Sequence, residues 1–303
     1  VIGFGGWPMG KGQYGAFDEQ EVVSAIHRAL DVGVTLFDTA ARYGVGFGEE
    51  LLGKALKGKR DKTVIVTKGG TRWDAEKNAL VRDSSKAFLR ECLEGSLKRL
   101  GMDYVDLYLI HWPDESRPME EPMAAFKQFQ QEGKIRHGGV SNFSVAQMEE
   151  CLKHFPIVCN QIGYNLFDRR MESEVLPFCL KRGIGVMTYG SLAFGLLTGA
   201  MTPDTRFGGD DWRRSGMAFG LPLFKEENFQ KNLQVVERLK EIAKKKRKAV
   251  AQLAVAWVLS NPAVSVALTG IRKPEEIEEN VGAASWRLTA KEVQEIEAAF
   301  KVG

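Results

Sequence analysis

Apolar runs of strand length alternate with helical patterns along the whole chain, and no other feature constrains the fold as strongly. The runs are VIGFGG at the start, then 34–37, 63–67, 105–110, 135–140, 157–161, 184–188 and 264–268. Helical spacing fills 18–31, 49–56, 84–100, 119–131, 145–153, 171–182, 226–246, 249–259, 274–281 and 289–300. In the first helical segment Val22, Val23, Ile26 and Leu30 share one face behind the acidic cap Asp18; Gly101, Gly133 and Gly183 are stop signals for later ones. About eight strand–helix units in one uninterrupted series predict a parallel α/β barrel, a single domain over 1–303 with its active site at the C-terminal strand ends. Only 196–224 breaks the rhythm. It is rich in Gly, Asp, Arg and Pro, and a long aperiodic loop after a late strand is usually functional.

Composition excludes several classes. With 303 residues, 44% hydrophobic and 27% charged, the chain can bury a full core, and a net charge of +3 does not point to nucleic acid. The densest basic run, KKKRK at 244–248, falls at a helix end and reads as a solvated face. Cys92, Cys151, Cys159 and Cys179 match no zinc or redox spacing, so free thiols in a reducing cytoplasm and no metal site are expected. No run is long enough to span a membrane. The chain opens at Val1 already inside an apolar run, so a preceding N-terminal stretch is expected.

Three early strands end in polar groups: Asp38 with Tyr43 five residues on, Lys68 after TVIVT, and His111 after YVDLYLI. Taken singly, each has a plain structural reading: helix cap, turn aromatic, snorkelling lysine, hydrogen-bonded histidine. Together on one barrel rim they form a proton-transfer set for a carbonyl oxygen. Lys68 needs a partner if buried, and Asp38 on the adjacent strand supplies one. A lysine charge beside Tyr43 is expected to lower the phenol pKa toward its working range. Trp7, Trp112 and, from a nearby loop, Trp73 are candidate walls of a substrate pocket. Ser141, Asn142, Gln161 and Tyr189 end later strands and suit a flat, amide-bearing ligand stacked on Tyr189. After the last strand, Gly270, Arg272 and Lys273 lead into a helix N-terminus, an anion site. There is no Walker motif and no GxGxxG fingerprint, so a dinucleotide must bind in the barrel manner.

The motifs FDTAARYG, VIVTKGG, LIHWPD, GVSNFS, NQIGYN and TGIRKPEEIEEN, in this order over essentially the whole chain, resemble the aldo-keto reductase superfamily. In detail the chain looks like bacterial and plant members with a long insert after strand seven, such as the general stress protein and voltage-channel-subunit-like branches. The resemblance implies a (β/α)8 TIM barrel with a nicotinamide cofactor across the C-terminal mouth, and an NAD(P)H-dependent reductase acting on a small-molecule aldehyde or ketone. It makes Tyr43 the proton donor, Lys68 held by Asp38 its tuner, and His111 the residue that positions substrate. Ser141, Asn142 and Gln161 hold the carboxamide and Tyr189 stacks on the nicotinamide. Leu192, Gly195 and Leu197, with Arg206 and Arg213 of the insert, cover the pyrophosphate, and Asn280 contacts adenine. The family's N-terminal hairpin is absent from the sequence. Gly270 stands where many members have lysine, and Glu276 where many have arginine or glutamine. Glu276 favours NAD, whereas Arg272 and Lys273 favour NADP, and NADP is the leading expectation. A sugar or alcohol dehydrogenase running in reverse is the alternative. A cofactor-binding regulatory subunit and a Schiff-base lyase using Lys68 are further readings. Oligomeric state is left open.

Overall fold

The computed structural model describes residues 1–11, 14–74, 76 and 78–301. Its strands are β1 (Ile2–Gly5), β2 (Leu36–Asp38), β3 (Val64–Gly69), β4 (Thr71–Asp74), β5 (Ala79–Arg82), β6 (Val105–Ile110), β7 (Ile135–Ser141), β8 (Cys159–Gly163), β9 (Gly185–Tyr189) and β10 (Val264–Gly270). Its helices are α1 (Glu19–Asp31), α2 (Phe47–Ala55), α3 (Lys86–Leu100), α4 (Glu120–Gln131), α5 (Val145–His154), α6 (Val175–Arg182), α7 (Glu226–Lys245), α8 (Val250–Ser260), α9 (Pro274–Val281) and α10 (Ala290–Ala299). Eight strands close in the order β1-β10-β9-β8-β7-β6-β3-β2, every pair parallel. This is the (β/α)8 barrel that the alternation predicts.

Local chemistry sets the helix ends. The Asp18 carboxylate accepts from the Gln20 and Glu21 amides, and the Ser85 hydroxyl from Phe88, each satisfying otherwise orphaned donors. Gly101 ends α3 at φ +64°, a conformation most side chains resist.

The structure differs from the sequence reading in three places. An antiparallel hairpin, β4 with β5, stands between β3 and α3; its polar, exposed TRWD strand has no buried face to impose alternation. The sixth helix begins at Val175, after a series of turns. The insert after β9 holds two 3-10 turns, Ala193–Thr198 and Trp212–Ser215. Among the described residues no helix is long and apolar enough to cross a membrane.

Two cores result. The larger lies between barrel and helices. The smaller fills the barrel interior with Val66, Leu107, Leu109, Cys159, Met187, Val266 and Leu268, with Leu36 packed against it. Strand side chains alternate, so residues two apart face the same way. Counting two residues on from the interior layer therefore reaches the mouth: Leu36 gives Asp38, Val66 gives Lys68, Leu109 gives His111, Cys159 gives Gln161, Met187 gives Tyr189 and Leu268 gives Gly270. Two strands carry glycine in the interior layer. A Cβ at Gly3 would fall 2.8 Å from Leu268, and one at Gly139 2.8 Å from Leu109, so the same step gives Gly5 and Ser141.

Candidate active site

The Lys68 side chain is the hub. Its Nζ donates to both Asp38 oxygens at 2.7 and 2.8 Å, to the Thr39 carbonyl at 2.8 Å and to the Tyr43 hydroxyl at 3.3 Å. Gln161 Nε2 donates to Asp38 Oδ2 at 2.7 Å. Lys68 is 1% exposed and Asp38 3%, and two such charges are tolerated in the interior because they hold each other. Burial acts against both, raising the Asp38 pKa and lowering that of Lys68, while the ion pair pulls each back.

Tyr43 lies in the turn between β2 and α2, where its amide donates to Ala40 O and its carbonyl accepts from Gly48. Its pKa is well above that of an ordinary phenol, because burial raises it and Asp38 adds to the rise. The expected lowering by Lys68 is therefore not realised: Asp38 sits 2.7 Å from the ammonium and cancels its field. The cation that opposes the rise is Arg42. His111 packs edge-on to Tyr43 with ring centroids 6.0 Å apart. Its Nδ1 is buried with no hydrogen-bond partner among the described residues. Burial, then the charges of Lys68 and Arg42, hold its pKa well below the usual histidine value, so the ring is neutral near pH 7.

On the far side, Ser141 Oγ donates to Gln161 O at 2.9 Å. Asn142 Nδ2 donates to His111 O at 3.2 Å and to Ser141 Oγ at 3.0 Å, and its Oδ1 accepts from Tyr189 at 2.8 Å. These bonds hold Asn142 at φ +65°, where a non-glycine residue is strained.

An aromatic wall faces this floor. Trp7 stacks on Trp212 at 5.3 Å and meets Tyr14 and Phe219 at 5.2 and 5.6 Å. Trp112 stacks on Phe219 at 6.3 Å, and Phe219 also packs on Tyr189 at 5.2 Å. The insert after β9 thus returns Trp212 and Phe219 to the mouth. Trp73 does not join them. It stands on β4, 59% exposed, and is not among the residues that line the cavity, although Leu80 and Arg82 of the paired strand β5 are.

One cavity of about 390 Å³ connects these groups. Its lining brings together Asp38, Tyr43 and His111, then Ser141, Asn142, Gln161, Tyr189, Leu192 and Gly195 from the later strand ends, and Gly270, Arg272 and Glu276 from the segment after β10. Glu276 Oε2 accepts from the Arg272 and Lys273 amides at 2.6 and 3.2 Å, capping α9. Arg272 also donates to Tyr14 O at 3.3 Å. Lys273 is turned outward to Glu21 at 3.5 Å, and neither it nor Asn280, buried on α9, lines the cavity. Leu197 is fully buried and Arg206 binds the Pro203 and Thr205 carbonyls, both outside the lining. Arg213 lines it, paired with Asp211 at 2.6 Å and donating to Phe194 O at 2.9 Å.

The residues present fit a nicotinamide dinucleotide. Amides, a hydroxyl and an aromatic face line the cavity with the tyrosine, glycines end β1 and β10, and a helix N-terminus with Arg272 adjoins it. Sequence reasoning missed Arg42, Arg82, Tyr14, Phe194, Trp212 and Phe219 as lining residues. Arg42 adjoins Tyr43 within its motif and so had a signal. The insert aromatics had none beyond their presence in a Gly-rich loop.

Barrel and site together define an NAD(P)-dependent oxidoreductase of the (β/α)8 class. The family model described as "Aldo/keto reductase family" matches residues 1–301, and the chain belongs to that family. It is 43% identical over 298 residues to aldo-keto reductase YhdN of Bacillus subtilis, covering 97% of this chain and 88% of the relative. It is 33% identical to the NADH-specific methylglyoxal reductase of Escherichia coli, covering 95% and 90%. Its fold superimposes on the glycerol dehydrogenase AKR11B4 of Gluconobacter oxydans with a TM-score of 0.88 at 38% identity, covering 98% and 90%. An aldo/keto reductase of Klebsiella pneumoniae in complex with NADP and acetate gives 0.77 at 29% identity, covering 100% and 92%.

Proposed function

We propose that the protein reduces an aldehyde or ketone to an alcohol, with Tyr43 donating the proton to the carbonyl oxygen. A bound reduced nicotinamide supplies the hydride. The observation that carries the reading is Lys68 Nζ, hydrogen-bonded at once to Asp38 and to the Tyr43 hydroxyl beside a cavity that also holds His111. As Tyr43 gives up its proton, Lys68 donates to the forming phenolate, and Asp38 keeps the ammonium in place. Neutral His111 orients the carbonyl oxygen toward Tyr43 by hydrogen bonding, since its depressed pKa keeps it from acting as the acid. The aromatic wall excludes water from the proton transfer. Run in reverse, the same residues oxidise an alcohol, and the likeness to a glycerol dehydrogenase supports that direction as the second reading.

NADP is the preferred cofactor in this proposal. The Glu276 oxygen that meets the loop is engaged by two backbone amides, which weakens its claim on a ribose hydroxyl and leaves Arg272 as the charge at the cavity end. The NADP complex of the Klebsiella relative agrees; the NADH-specific relative favours NAD. Tyr43→Phe tests the mechanism. Turnover should fall about 10²–10⁴-fold, the range for a lost general acid, while NADPH titration by fluorescence is unchanged. Undiminished turnover would remove Tyr43 from its role. Tighter binding of NADH than NADPH by the wild type would reverse the cofactor assignment.

A further inference from the structure

We propose that the substrate carries an anionic group, a carboxylate or a phosphate ester, held at the cavity mouth by Arg42 and Arg82. The inference rests on the carbonyl reduction proposed above and names its substrate class.

Four arginines line the cavity, and they fall into two sets. Arg213 and Arg272 come from the segments after β9 and β10, which carry the residues assigned above to the cofactor. Arg42 follows β2 and Arg82 closes β5, so both belong to the side of Asp38, Tyr43 and Lys68. Arg213 is neutralised by Asp211. Neither Arg42 nor Arg82 has a carboxylate partner among the described residues. Arg82 donates only Nη1, to Pro113 O at 3.2 Å, with its guanidinium 5.5 Å from the Trp112 ring centroid. This fixes one edge and leaves the remaining donors free. Arg42 makes no hydrogen bond or ion pair to the described residues, and both it and Arg82 are exposed at the cavity mouth.

The cavity holds no anion to serve them. Its carboxylates are Asp38 and Glu276, the first engaged by Lys68 and Gln161, the second by two backbone amides. Asp83, next in sequence to Arg82, accepts from the Ser85 amide and lies 3.6 Å from Arg117. Two guanidinium groups that line one cavity without a carboxylate partner raise the local positive potential and draw in an anion. The planar fork of arginine matches carboxylate and phosphate oxygens with paired donors. Arg42 is next to Tyr43 in sequence and lines the same cavity as Tyr43 and His111, so an anion bound there lies within one small molecule's length of the proton donor.

The test uses the full chain with NADPH and two matched pairs: succinic semialdehyde against butyraldehyde, and glyceraldehyde 3-phosphate against glyceraldehyde. At least one charged aldehyde should exceed its neutral partner about tenfold in kcat/KM, through KM, and the better pair identifies the anion as carboxylate or phosphate. Arg82→Gln should raise the KM of the charged aldehyde about tenfold and leave neutral turnover within about twofold. Arg42→Gln should lower the charged-to-neutral ratio, and Arg42→Lys should restore part of it. Equal handling of charged and neutral aldehydes by the wild type, or equal losses on both in the variants, would overturn the proposal. Should no aldehyde be reduced, the reductase reading fails separately. Calorimetric titration with succinate and with inorganic phosphate then decides: binding abolished by Arg42→Gln with Arg82→Gln supports the site, and no wild-type binding refutes it.

Discussion

Replacing Lys68 by methionine should expose how the centre of the site is held together. The substitution keeps the length and apolar stem of the side chain and removes the ammonium. Four hydrogen bonds disappear, three of them at 2.7 to 2.8 Å. Asp38, 3% exposed, is left with Gln161 as its one remaining side-chain donor. Breaking a buried pair from one side typically costs about 3–5 kcal/mol, because the surviving charge stays desolvated. At about 2.1 cal/mol/K of unfolding entropy per residue over 303 residues, this lowers Tm by about 5–8 °C. The loss carries a pH signature. Burial already raises the folded Asp38 pKa above its unfolded value, and losing Lys68 raises it further. A group with a raised folded pKa binds its proton more tightly when folded, so the deficit is full above that pKa and shrinks as pH falls through it. Scanning calorimetry of wild type and variant at about pH 8 and about pH 5.5 reads this directly, with the deficit smaller at the lower pH. Adding Asp38→Asn should recover most of the stability while activity stays absent. A deficit below about 1 kcal/mol, or one that does not shrink on acidification, would refute the account of a desolvated charge held by its partner.

Three further outcomes follow from the geometry. The pH–rate profile for reduction should lack an inflection at the usual histidine value of 6.5, since His111 is held neutral, and should show no fall up to about pH 10, since Tyr43, whose protonated form is the donor, titrates above an ordinary phenol; steady-state kcat/KM from about pH 5.5 to 10 checks this, and a fall between about pH 8 and 10 would refute it. Gly53→Ala in α2 should destabilise by about 1–3 kcal/mol despite better helix propensity, because its Cβ would fall on the Leu100 carbonyl of α3; urea denaturation gives the sign. Phe219→Ala should favour bulky ketones over small aldehydes by about tenfold in kcat/KM, because the ring fills space between Trp112 and Tyr189, and an unchanged ratio in a substrate series would place Phe219 outside the substrate's path.

Much of the site was legible before the fold. Asp38, Lys68, His111, Gln161 and Tyr189 each stand two residues beyond a core position of their own strand, so the period of two that buries Leu36 or Met187 also aims the polar residue at the mouth. Trp73 stays out of the pocket for the converse reason: it stands on an exposed strand with no buried face to imprint a period on the sequence, while its partner strand β5 turns Leu80 and Arg82 to the cavity. Glu276, a cofactor discriminator on the sequence, also accepts from the amides of Arg272 and Lys273 just before α9.

The sequence alone determined the alternation of strand and helix, hence the barrel, and the polar residues that end its strands, because both follow from local periodicity. Only tertiary structure decided which face of each strand became the interior, since an alternating run has two faces and closure selects one. It alone brought Trp212 and Phe219 from an aperiodic insert against Trp7 and Trp112, and left Arg42 and Arg82 at the mouth without a carboxylate partner among the described residues. It also set the acidity of Tyr43, because that depends on burial and on Asp38 neutralising Lys68, and charges act through distances in space that spacing along the chain does not encode.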